Sequence, residues 1–539
     1  MRKLIVCLDG TGNEIGDSET NVLKLYRSLS QNGDQLTHYF MGVGTNDSPS
    51  VVYRPLQKFY GVLGMAFGLG LEDDVLNAYR WLCSNYKDSR DHKADWIAAN
   101  PGKKRPPTFR SDHIYFIGFS RGSYAARVLA GFIYNFGLVS QNNLHLIAPA
   151  FRAYRSLTDR DGNHQDSDRF RTLRQFVNIL RPKLAPIRAL MLFDTVASMI
   201  RLDWPIYTVP KYLSLADLGL HRNIESNPSV RIVIHALAMD ERRTFFRDLK
   251  WQEGHRYYGN RYVFGKRHQR NDPGRCQFVR QRWFAGYHSD IGGSQREDRA
   301  GIGKITALWM LDALKAAEAQ ADAEDLAITN EKRKAERKAP LKKIPFNKPG
   351  LIIPDGAIES YFRGNQRHPY GSKNAAGIPY SAPDPYAPIH NSIFPARAKP
   401  AWSWIWALLE FLPPKAAKRR EDTPVAWYRK PWPYYLPLFE PRFVPDPPPG
   451  PIDATFDFAL ASSKDMADVH FTDPDDDDVT EADIYDDNAK ASDGPISTHE
   501  VDDSVFMRRD NKKMNYDPPN LRQETPPNVT AWWDNVADP

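Results

Sequence analysis

The sequence predicts an α/β fold, in which a mainly parallel sheet is flanked by helices and is followed by a large loop-rich C-terminal extension. Over the first 320 residues, short apolar runs alternate with longer segments of helical periodicity, which is typical of a parallel sheet covered on both faces. Most of the 42 prolines lie in the second half, which predicts loops there. We therefore expect a core over residues 1–320 and, over residues 321–539, an insertion and a proline-rich region packed on that core.

The individual elements can be placed from their apolar patterns. Short β-rich runs predict strands at residues 4–8, 37–43, 113–117, 187–193, 230–237 and 278–287. Apolar residues at intervals of three to four predict helices at residues 21–29, 73–86, 123–136 and 302–319. A stretch rich in Ala, Lys, Glu and Arg at 322–343 predicts an exposed charged helix or an insertion. The aspartate run at 473–487 predicts a solvated loop, because it lacks the alternating ligand pattern of a calcium loop.

Composition and charge exclude several classes of protein. Hydrophobic residues make up 41% of the 539 residues and charged residues 26%, as in an ordinary folded soluble protein. The net charge of +6 is spread over the whole chain, which argues against a nucleic-acid-binding protein. Three scattered cysteines, Cys7, Cys83 and Cys276, form no disulfide or metal-binding pattern, so we expect no metal and no other cofactor.

The sequence contains no predicted membrane span and no predicted signal peptide. Its longest uncharged runs, which include residues 59–71, fall short of the roughly 20 residues that cross a bilayer. The apolar run before Asp9 is too short for the core of a signal peptide. We therefore expect synthesis in the cytoplasm, and at most a peripheral contact with a membrane.

The pentapeptide GFSRG at residues 118–122 is the strongest local indication of chemistry. A predicted strand enters it and a predicted helix leaves it, as in a nucleophile elbow, where flanking glycines let the strand and helix approach closely. Such a turn places the Ser120 hydroxyl above the sheet edge, at a helix N-terminus that favours negative charge. Ser120 is therefore the candidate nucleophile of an α/β-hydrolase fold. The alternative is a tight turn with an incidental serine.

A serine nucleophile requires a base and an orienting acid, which in α/β hydrolases follow in the order serine, acid, histidine. Asp194 follows the apolar run ALMLF and His288 follows WFAGY, so both lie at predicted strand ends. We expect Asp194 to be the acid and His288 the base. His235, inside an apolar strand, is more simply a hydrogen-bonded core histidine. The rival candidates for the two roles are Asp240, Glu241, Asp290 and His235.

The oxyanion of an acyl-transfer intermediate requires two backbone donors. The N–H of Arg121 is one candidate. The turn after the first strand, with Gly10 and Thr11, is the expected source of the second, because its glycines allow close backbone approach. Binding of a nucleotide phosphate is the alternative for this turn, but the dinucleotide fingerprint and the P-loop lysine are both missing.

Several further residues are expected to contact the substrate. Asp9 and Phe119 border the candidate oxyanion and nucleophile positions. Leu63 and Phe67 belong to the glycine-rich apolar stretch 59–71, which we expect to line an acyl channel or a lid. The tryptophan-rich stretch 402–411 is expected to pack in the core, with an interfacial membrane anchor as the alternative.

With these residues assembled, the sequence resembles a bacterial family of α/β hydrolases that includes the catalytic domain of the first group of type VI secretion phospholipase effectors. The resemblance is thin between about residues 320 and 490, and Ser123 stands where we expect alanine. The stretches that carry it are LDGTGN (8–13), TNVLKLYRSL (20–29), GVGT (42–45), AYRWL (78–82), GFSRGSYAARVLAG (118–131), FDTVAS (193–198), ALAMDERRTFF (236–246) and HSDIGG (288–293).

The resemblance implies a lipolytic serine esterase that cleaves carboxylic esters of glycerophospholipids through an acyl-enzyme, with Ser120, Asp194 and His288 as its triad. It also implies an antibacterial toxin that reaches a rival cell's periplasm without a signal peptide, with a secretion spike protein and an immunity protein as partners. The residues alone lead only to serine ester hydrolysis. A carboxylesterase or thioesterase of small soluble acyl esters, and a non-catalytic adaptor on a secretion spike, stay open as alternatives.

Overall fold

The structure of the protein is a computed structural model. It describes residues 1–10, 18–42, 71–103, 107–155, 157, 165–196, 200–201, 217–218, 224–241, 249–259, 274–342, 350–365, 373–374, 376–390, 498–511, 513–514, 516, 529 and 531–532.

A seven-stranded sheet lies at the centre of the described structure. The strands in chain order are β1 (Lys3–Leu8), β2 (Gln35–Phe40), β3 (His113–Phe119), β4 (Ile187–Phe193), β5 (Ile200–Arg201), β6 (Asp217–Leu218), β7 (Val230–Ala238), β8 (Arg256–Tyr257), β9 (Arg275–Cys276), β10 (Phe278–Phe284) and β11 (Thr498–Val501). The order across the sheet is β11-β10-β7-β4-β3-β1-β2, and every neighbouring pair in it is parallel. The short pairs β5–β6 and β8–β9 are antiparallel. The predicted α/β fold with a mainly parallel sheet is confirmed.

Helices cover both faces of the sheet. They are α1 (Asn21–Ser28), α2 (Leu71–Asn85), α3 (Ser89–Ala99), α4 (Arg121–Phe136), α5 (Ile147–Arg155), α6 (Gln165–Leu180), α7 (His288–Ile291), α8 (Gly301–Ala335), α9 (Ala357–Phe362) and α10 (Asp503–Asp510). On β1, Leu4 and Val6 pack with α2, α4 and α5, whereas Ile5 and Cys7 pack on the other face with α1, α8 and α9. Because both of their faces are buried, strands β1, β3, β4 and β7 are mostly apolar in sequence.

The C-terminal region contributes a strand to this sheet. β11 pairs with β10 from Arg280↔Thr498 to Trp283↔Val501 and forms the edge of the sheet beyond β10. The predicted core boundary at residue 320 falls inside α8, which runs without a break to Ala335. Residues on both sides of that boundary therefore share one sheet. Among the described helices, none is long and apolar enough to span a membrane.

Candidate active site

Ser120 occupies the sharp turn between β3 and α4. Its backbone adopts φ 59° and ψ −123°, a region that non-glycine residues rarely occupy and that carries strain. The Ser120 N–H donates to the carbonyl oxygen of Phe193, at the end of the neighbouring strand β4, over 3.0 Å. This bond fixes the turn against β4, so the strained conformation is held by the adjacent strand.

The two glycines of the pentapeptide are required by close backbone contacts. A Cβ on Gly118 would lie 2.6 Å from the Cα of Ser123, in the first turn of α4. A Cβ on Gly122 would lie 2.1 Å from the carbonyl oxygen of Leu8 and 2.6 Å from that of Asp9. Both distances are far below van der Waals contact, so any side chain would push α4 away from β1 and β3.

The side chains of Ser120, His288 and Asp194 form a continuous chain of hydrogen bonds. His288 Nε2 lies 2.7 Å from Ser120 Oγ, and His288 Nδ1 lies 2.6 Å from Asp194 Oδ2. A carboxylate can only accept, so Nδ1 carries the imidazole proton and Nε2 presents a lone pair to the serine hydroxyl. All three residues are buried. The structure thus brings together the three residues that the sequence analysis selected, in the arrangement of a nucleophile, a base and an orienting acid.

The turn that carries Asp194 is held by strand β7. Asp194 has φ 36°, and its second carboxylate oxygen, Oδ1, accepts the N–H of Ala238 over 3.0 Å. Its own N–H donates to the carbonyl oxygen of Ala236 over 2.8 Å. His235, a rival candidate, is fully buried in the same strand, and its Nε2 accepts the N–H of Thr195 over 3.3 Å. His235 therefore supports the turn of the acid and lies in the core, as its apolar surroundings predicted.

The other rival residues surround the backbone of His288. Glu241 accepts the backbone N–H of His288 over 3.2 Å. Asp290 accepts the N–H of Tyr287 over 2.9 Å and also contacts His390. Asp240 accepts the N–H of Gly286 over 2.6 Å. These carboxylates hold the loop, whereas the imidazole Nδ1 faces Asp194.

An aromatic ring packs against the His288 imidazole. The Phe119 ring stacks on it, with centroids 4.8 Å apart and planes inclined by 30°. Phe119, which is predicted to contact substrate, therefore also packs against the base His288.

The sequence analysis missed Asn21, whose side-chain amide donates to the carbonyl oxygens of Ile291, over 3.1 Å, and Gly303, over 2.8 Å. Those bonds join α1 to α7 and α8; a single asparagine at the start of a helix gives no sequence signal of such a contact.

The predicted oxyanion donors differ in their surroundings. Arg121 is the first residue of α4, where N–H groups have no carbonyl partner within the helix. The Gly10 N–H donates to Asp9 Oδ1 over 2.7 Å. The Oδ2 of Asp9 accepts the hydroxyls of Thr20, over 2.5 Å, and Tyr39, over 2.6 Å. Thr11, Leu63 and Phe67, and the stretches 59–70 and 402–411, lie outside the described residues.

The guanidinium of Arg121, the residue after the nucleophile, interacts with the carboxylate of Asp74. Burial lowers the pKa of the Arg121 guanidinium to about 10, and the Asp74 carboxylate at the start of α2 acts in the opposite direction. Burial raises the pKa of Asp74 to about 7, which Arg121 opposes and Asp73 reinforces. In the part of the chain that the structure describes, no group of three or more His, Cys, Asp or Glu could hold a metal ion.

A curated protein and several solved structures are similar to parts of this chain. An uncharacterized protein of Saccharomyces cerevisiae is 31% identical over 161 residues, which are 28% of this chain and 20% of that protein. An uncharacterized protein from Pseudomonas aeruginosa is 16% identical with a TM-score of 0.31, over 59% of this chain and 46% of that one. The Tle1 effector bound to the VgrG spike from the type 6 secretion system is 16% identical with a TM-score of 0.24, over 54% and 50%. The chain thus spans a fifth of the yeast protein and about half of each solved chain.

The family comparison covers the part of the chain that holds the site. The family described as the catalytic domain of Tle1-like phospholipase effectors of type VI secretion matches residues 2–313, more than half of the 539 residues. That range includes Ser120, Asp194 and His288, and it confirms the resemblance that the sequence motifs indicated. The chain belongs to the family of Tle1-like phospholipase effector catalytic domains.

Proposed function

We propose that this protein is a serine ester hydrolase that cleaves acyl esters of glycerophospholipids through an acyl-enzyme. The observation that carries the proposal is the chain of contacts from Ser120 Oγ to His288, 2.7 Å, and from His288 to Asp194, 2.6 Å. This arrangement makes a serine hydroxyl nucleophilic at neutral pH, because the imidazole can accept its proton and the carboxylate stabilises the resulting imidazolium.

The first half of the reaction transfers the acyl group to the enzyme. The Ser120 oxygen attacks the ester carbonyl carbon while His288 Nε2 takes the hydroxyl proton, and the carbonyl electron pair moves onto oxygen. We assign the N–H of Arg121 as one donor to that oxyanion, with Gly10 or Thr11 as the second. The oxyanion then collapses, the glycerol oxygen leaves with the proton from His288, and the acyl group stays on Ser120.

The second half of the reaction regenerates the serine. His288 removes a proton from water, the hydroxide oxygen attacks the acyl carbonyl, and a second oxyanion forms in the same place. Its collapse breaks the bond to Ser120 Oγ, which recovers its proton from His288 as the fatty acid leaves. Gly10 would have to share its N–H with the Asp9 carboxylate to act here.

The family supports a phospholipid as the substrate and a role as a type VI secretion effector. Under this proposal the protein is made in the cytoplasm, is delivered on a secretion spike protein into a rival's periplasm, and contacts the membrane only peripherally. An immunity protein in the producing cell would then neutralise it. On sequence grounds we propose that the apolar stretch 59–71 binds the acyl chain, with 402–411 as a further candidate.

The proposal is tested by comparing wild type, Ser120→Ala and Ser123→Ala in two assays. Ser123 is a matched control, because it is a buried serine in the same turn whose hydroxyl donates to the Phe193 carbonyl, away from His288. A fluorophosphonate probe should label wild type and Ser123→Ala but not Ser120→Ala. Release of fatty acid from phospholipid vesicles should fall by roughly 10⁴-fold or more in Ser120→Ala alone.

The same assays separate the alternatives. Faster hydrolysis of short p-nitrophenyl esters than of phospholipids would replace the lipid substrate with a small soluble ester. Absence of probe labelling in folded wild type would reject a serine hydrolase and leave the non-catalytic adaptor. Equal labelling of Ser120→Ala and wild type would reject Ser120 as the nucleophile.

A further inference from the structure

We propose that His390 and Tyr516, from segments C-terminal to the family-matched residues 2–313, are positioning residues for the base His288. They act on the His288 loop, which we define as residues 286–293. The inference rests on the proposed function of His288 as general base. It extends the active site to parts of the chain that the family match does not reach.

His390 is bound to the His288 loop through two hydrogen bonds to one carboxylate. Its Nδ1 donates to Asp290 Oδ1 over 2.6 Å, and its backbone N–H donates to Asp290 Oδ2 over 3.0 Å. Asp290 is buried and also accepts the N–H of Tyr287. Asp290 lies in the one-turn helix α7 that begins at His288, so these bonds anchor the C-terminal side of the base.

Tyr516 acts on the other side of the loop through the carboxylate of Asp240. Its hydroxyl donates to Asp240 Oδ2 over 2.9 Å, and the same oxygen accepts the N–H of Gly286 over 2.6 Å. The Asp240 N–H donates to the Gly286 carbonyl oxygen over 3.1 Å, so the loop is bonded to Asp240 in both directions. Tyr516 thus orients the carboxylate that holds the backbone two residues before His288.

The two C-terminal segments are themselves joined and attached to the sheet. The Arg508 guanidinium on α10 donates to the carbonyl oxygens of Pro385, over 2.6 Å, and Ala387, over 2.7 Å. The Asp502 N–H, at the start of α10, donates to the carbonyl oxygen of Trp283 over 2.9 Å. The segments that carry His390 and Tyr516 are therefore held in place by hydrogen bonds to each other and to the sheet.

These anchors affect catalysis because proton transfer by His288 requires hydrogen-bond distances to its partners. His288 must keep Nε2 and Nδ1 within hydrogen-bond reach of Ser120 and Asp194 at once. Backbone anchors two residues before and two residues after it fix both the position and the direction of the ring. A displacement of about 1 Å at a catalytic group lowers turnover by about 10²-fold, so partial loss of one anchor should lower kcat measurably.

Four full-length variants test the proposal. His390→Ala removes the side-chain bond to Asp290, while His390→Asn keeps an amide N–H close to the position of Nδ1. Tyr516→Phe removes one hydroxyl only, so it still tests whether the C-terminal residues position His288 if His390→Ala does not fold. Trp532→Phe is the matched control, because it removes a bond to the buried Asp502, 3.0 Å, that touches no residue of the His288 loop. The readouts are the rate of fluorophosphonate labelling, kcat and KM on one ester, the melting temperature, and hydrogen–deuterium exchange of residues 286–293.

We expect His390→Ala and Tyr516→Phe to lower kcat and the labelling rate about tenfold or more, with little change in KM and faster exchange of the loop. His390→Asn should restore most of the rate, and Trp532→Phe should lose stability without losing kcat. Wild-type rates in both His390→Ala and Tyr516→Phe, or an equal loss in Trp532→Phe, would overturn the proposal. Unlabelled wild type would instead reject the proposed function, and the exchange data would still report whether the two residues hold the loop.

Discussion

The Leu8 carbonyl oxygen occupies the place that a side chain on Gly122 would need. A Cβ on Gly122 would lie 2.1 Å from this oxygen. Since the colliding atom is backbone in strand β1, which is paired with β2 on one side and β3 on the other, it cannot move aside alone. Gly122→Ala should therefore destabilise the protein by about 1–3 kcal/mol or more and shift Ser120 away from His288, with a loss of ester turnover. Urea denaturation and an ester assay measure both effects.

The control for this substitution is Gly33→Ala. A Cβ on Gly33 would meet nothing within 4 Å, so stability and turnover should stay near wild type. A Gly122→Ala protein with wild-type stability and turnover would contradict the close packing of α4 on β1.

The fold was predictable from sequence where burial is two-sided. β4 and β7 are uniformly buried, and their mostly apolar sequences predicted strands at nearly the observed positions. β11 was not predicted, because its four residues, THEV, are mostly polar and lie at the edge of the sheet. A short edge strand is defined by its pairing with β10, a contact between residues more than 200 positions apart, and local pattern does not contain that information.

The residues of the candidate site were also predictable from the sequence only in part. Ser120, Asp194 and His288 could be selected because each follows an apolar strand and each chemical type is restricted by the mechanism. Asn21 and Tyr516 could not be selected, since polar residues on helices and loops are common. Only the tertiary structure shows that Asn21 bonds to the His288 loop directly and that Tyr516 reaches it through Asp240. Residues that bear the chemistry carry local motifs, whereas residues that position them act through long-range contacts.

Asp194→Asn should leave the fold intact and lower turnover by roughly 10⁴-fold. The Ala238 N–H requires an acceptor, so the amide oxygen should take the place of Oδ1 and the amide N–H₂ should face His288. The imidazole would then accept at Nδ1 and carry its proton on Nε2, where it cannot take a proton from Ser120. Steady-state turnover and the melting temperature test this.

An exposed carboxylate provides the control for that change. Asp95→Asn removes only a surface pair with Lys87, in which both side chains are about half exposed, and should leave both measurements unchanged. Turnover in Asp194→Asn within tenfold of wild type would show that another residue orients the base.

Ser123→Ala should cost little stability and no activity. The Ser123 hydroxyl donates to the Phe193 carbonyl oxygen over 3.1 Å, but that oxygen also accepts the Ser120 N–H and stays satisfied without it. The expected loss is about 0.5–1.5 kcal/mol, the net value of one hydrogen bond. Urea denaturation measures the loss, and a fall in turnover beyond twofold would mean that the hydroxyl helps to hold the Ser120 turn.

The buried carboxylate of Glu297 should make stability depend on pH in the acid range. Its two oxygens lie 2.7 Å from Lys24 Nζ and 2.8 Å from Lys304 Nζ, and all three side chains are fully buried. Burial by itself raises the pKa of Glu297, but the two ammonium groups outweigh it and bring the pKa from 4.5 to about 2. A carboxyl whose pKa is lowered by folding stabilises the protein above its unfolded pKa, and that contribution disappears as the pH falls from 4.5 through 2.

Glu297→Gln should therefore have two effects on unfolding. At pH 7 it removes the shared partner of the buried Lys24 and Lys304, and burial lowers the pKa of Lys304 to about 7, so this site loses its charge pairing. The free energy of unfolding should fall by about 3–5 kcal/mol. Between pH 4.5 and 2 its stability should change less with pH than that of wild type, by an amount on the order of 2–3 kcal/mol, because the group that titrates is gone. Urea denaturation at intervals across this range gives both values, with Glu336→Gln, an exposed carboxyl on the turn after α8, as the control that should follow wild type. An equally steep loss of stability with acid in Glu297→Gln and wild type would show that other carboxyls dominate the acid unfolding.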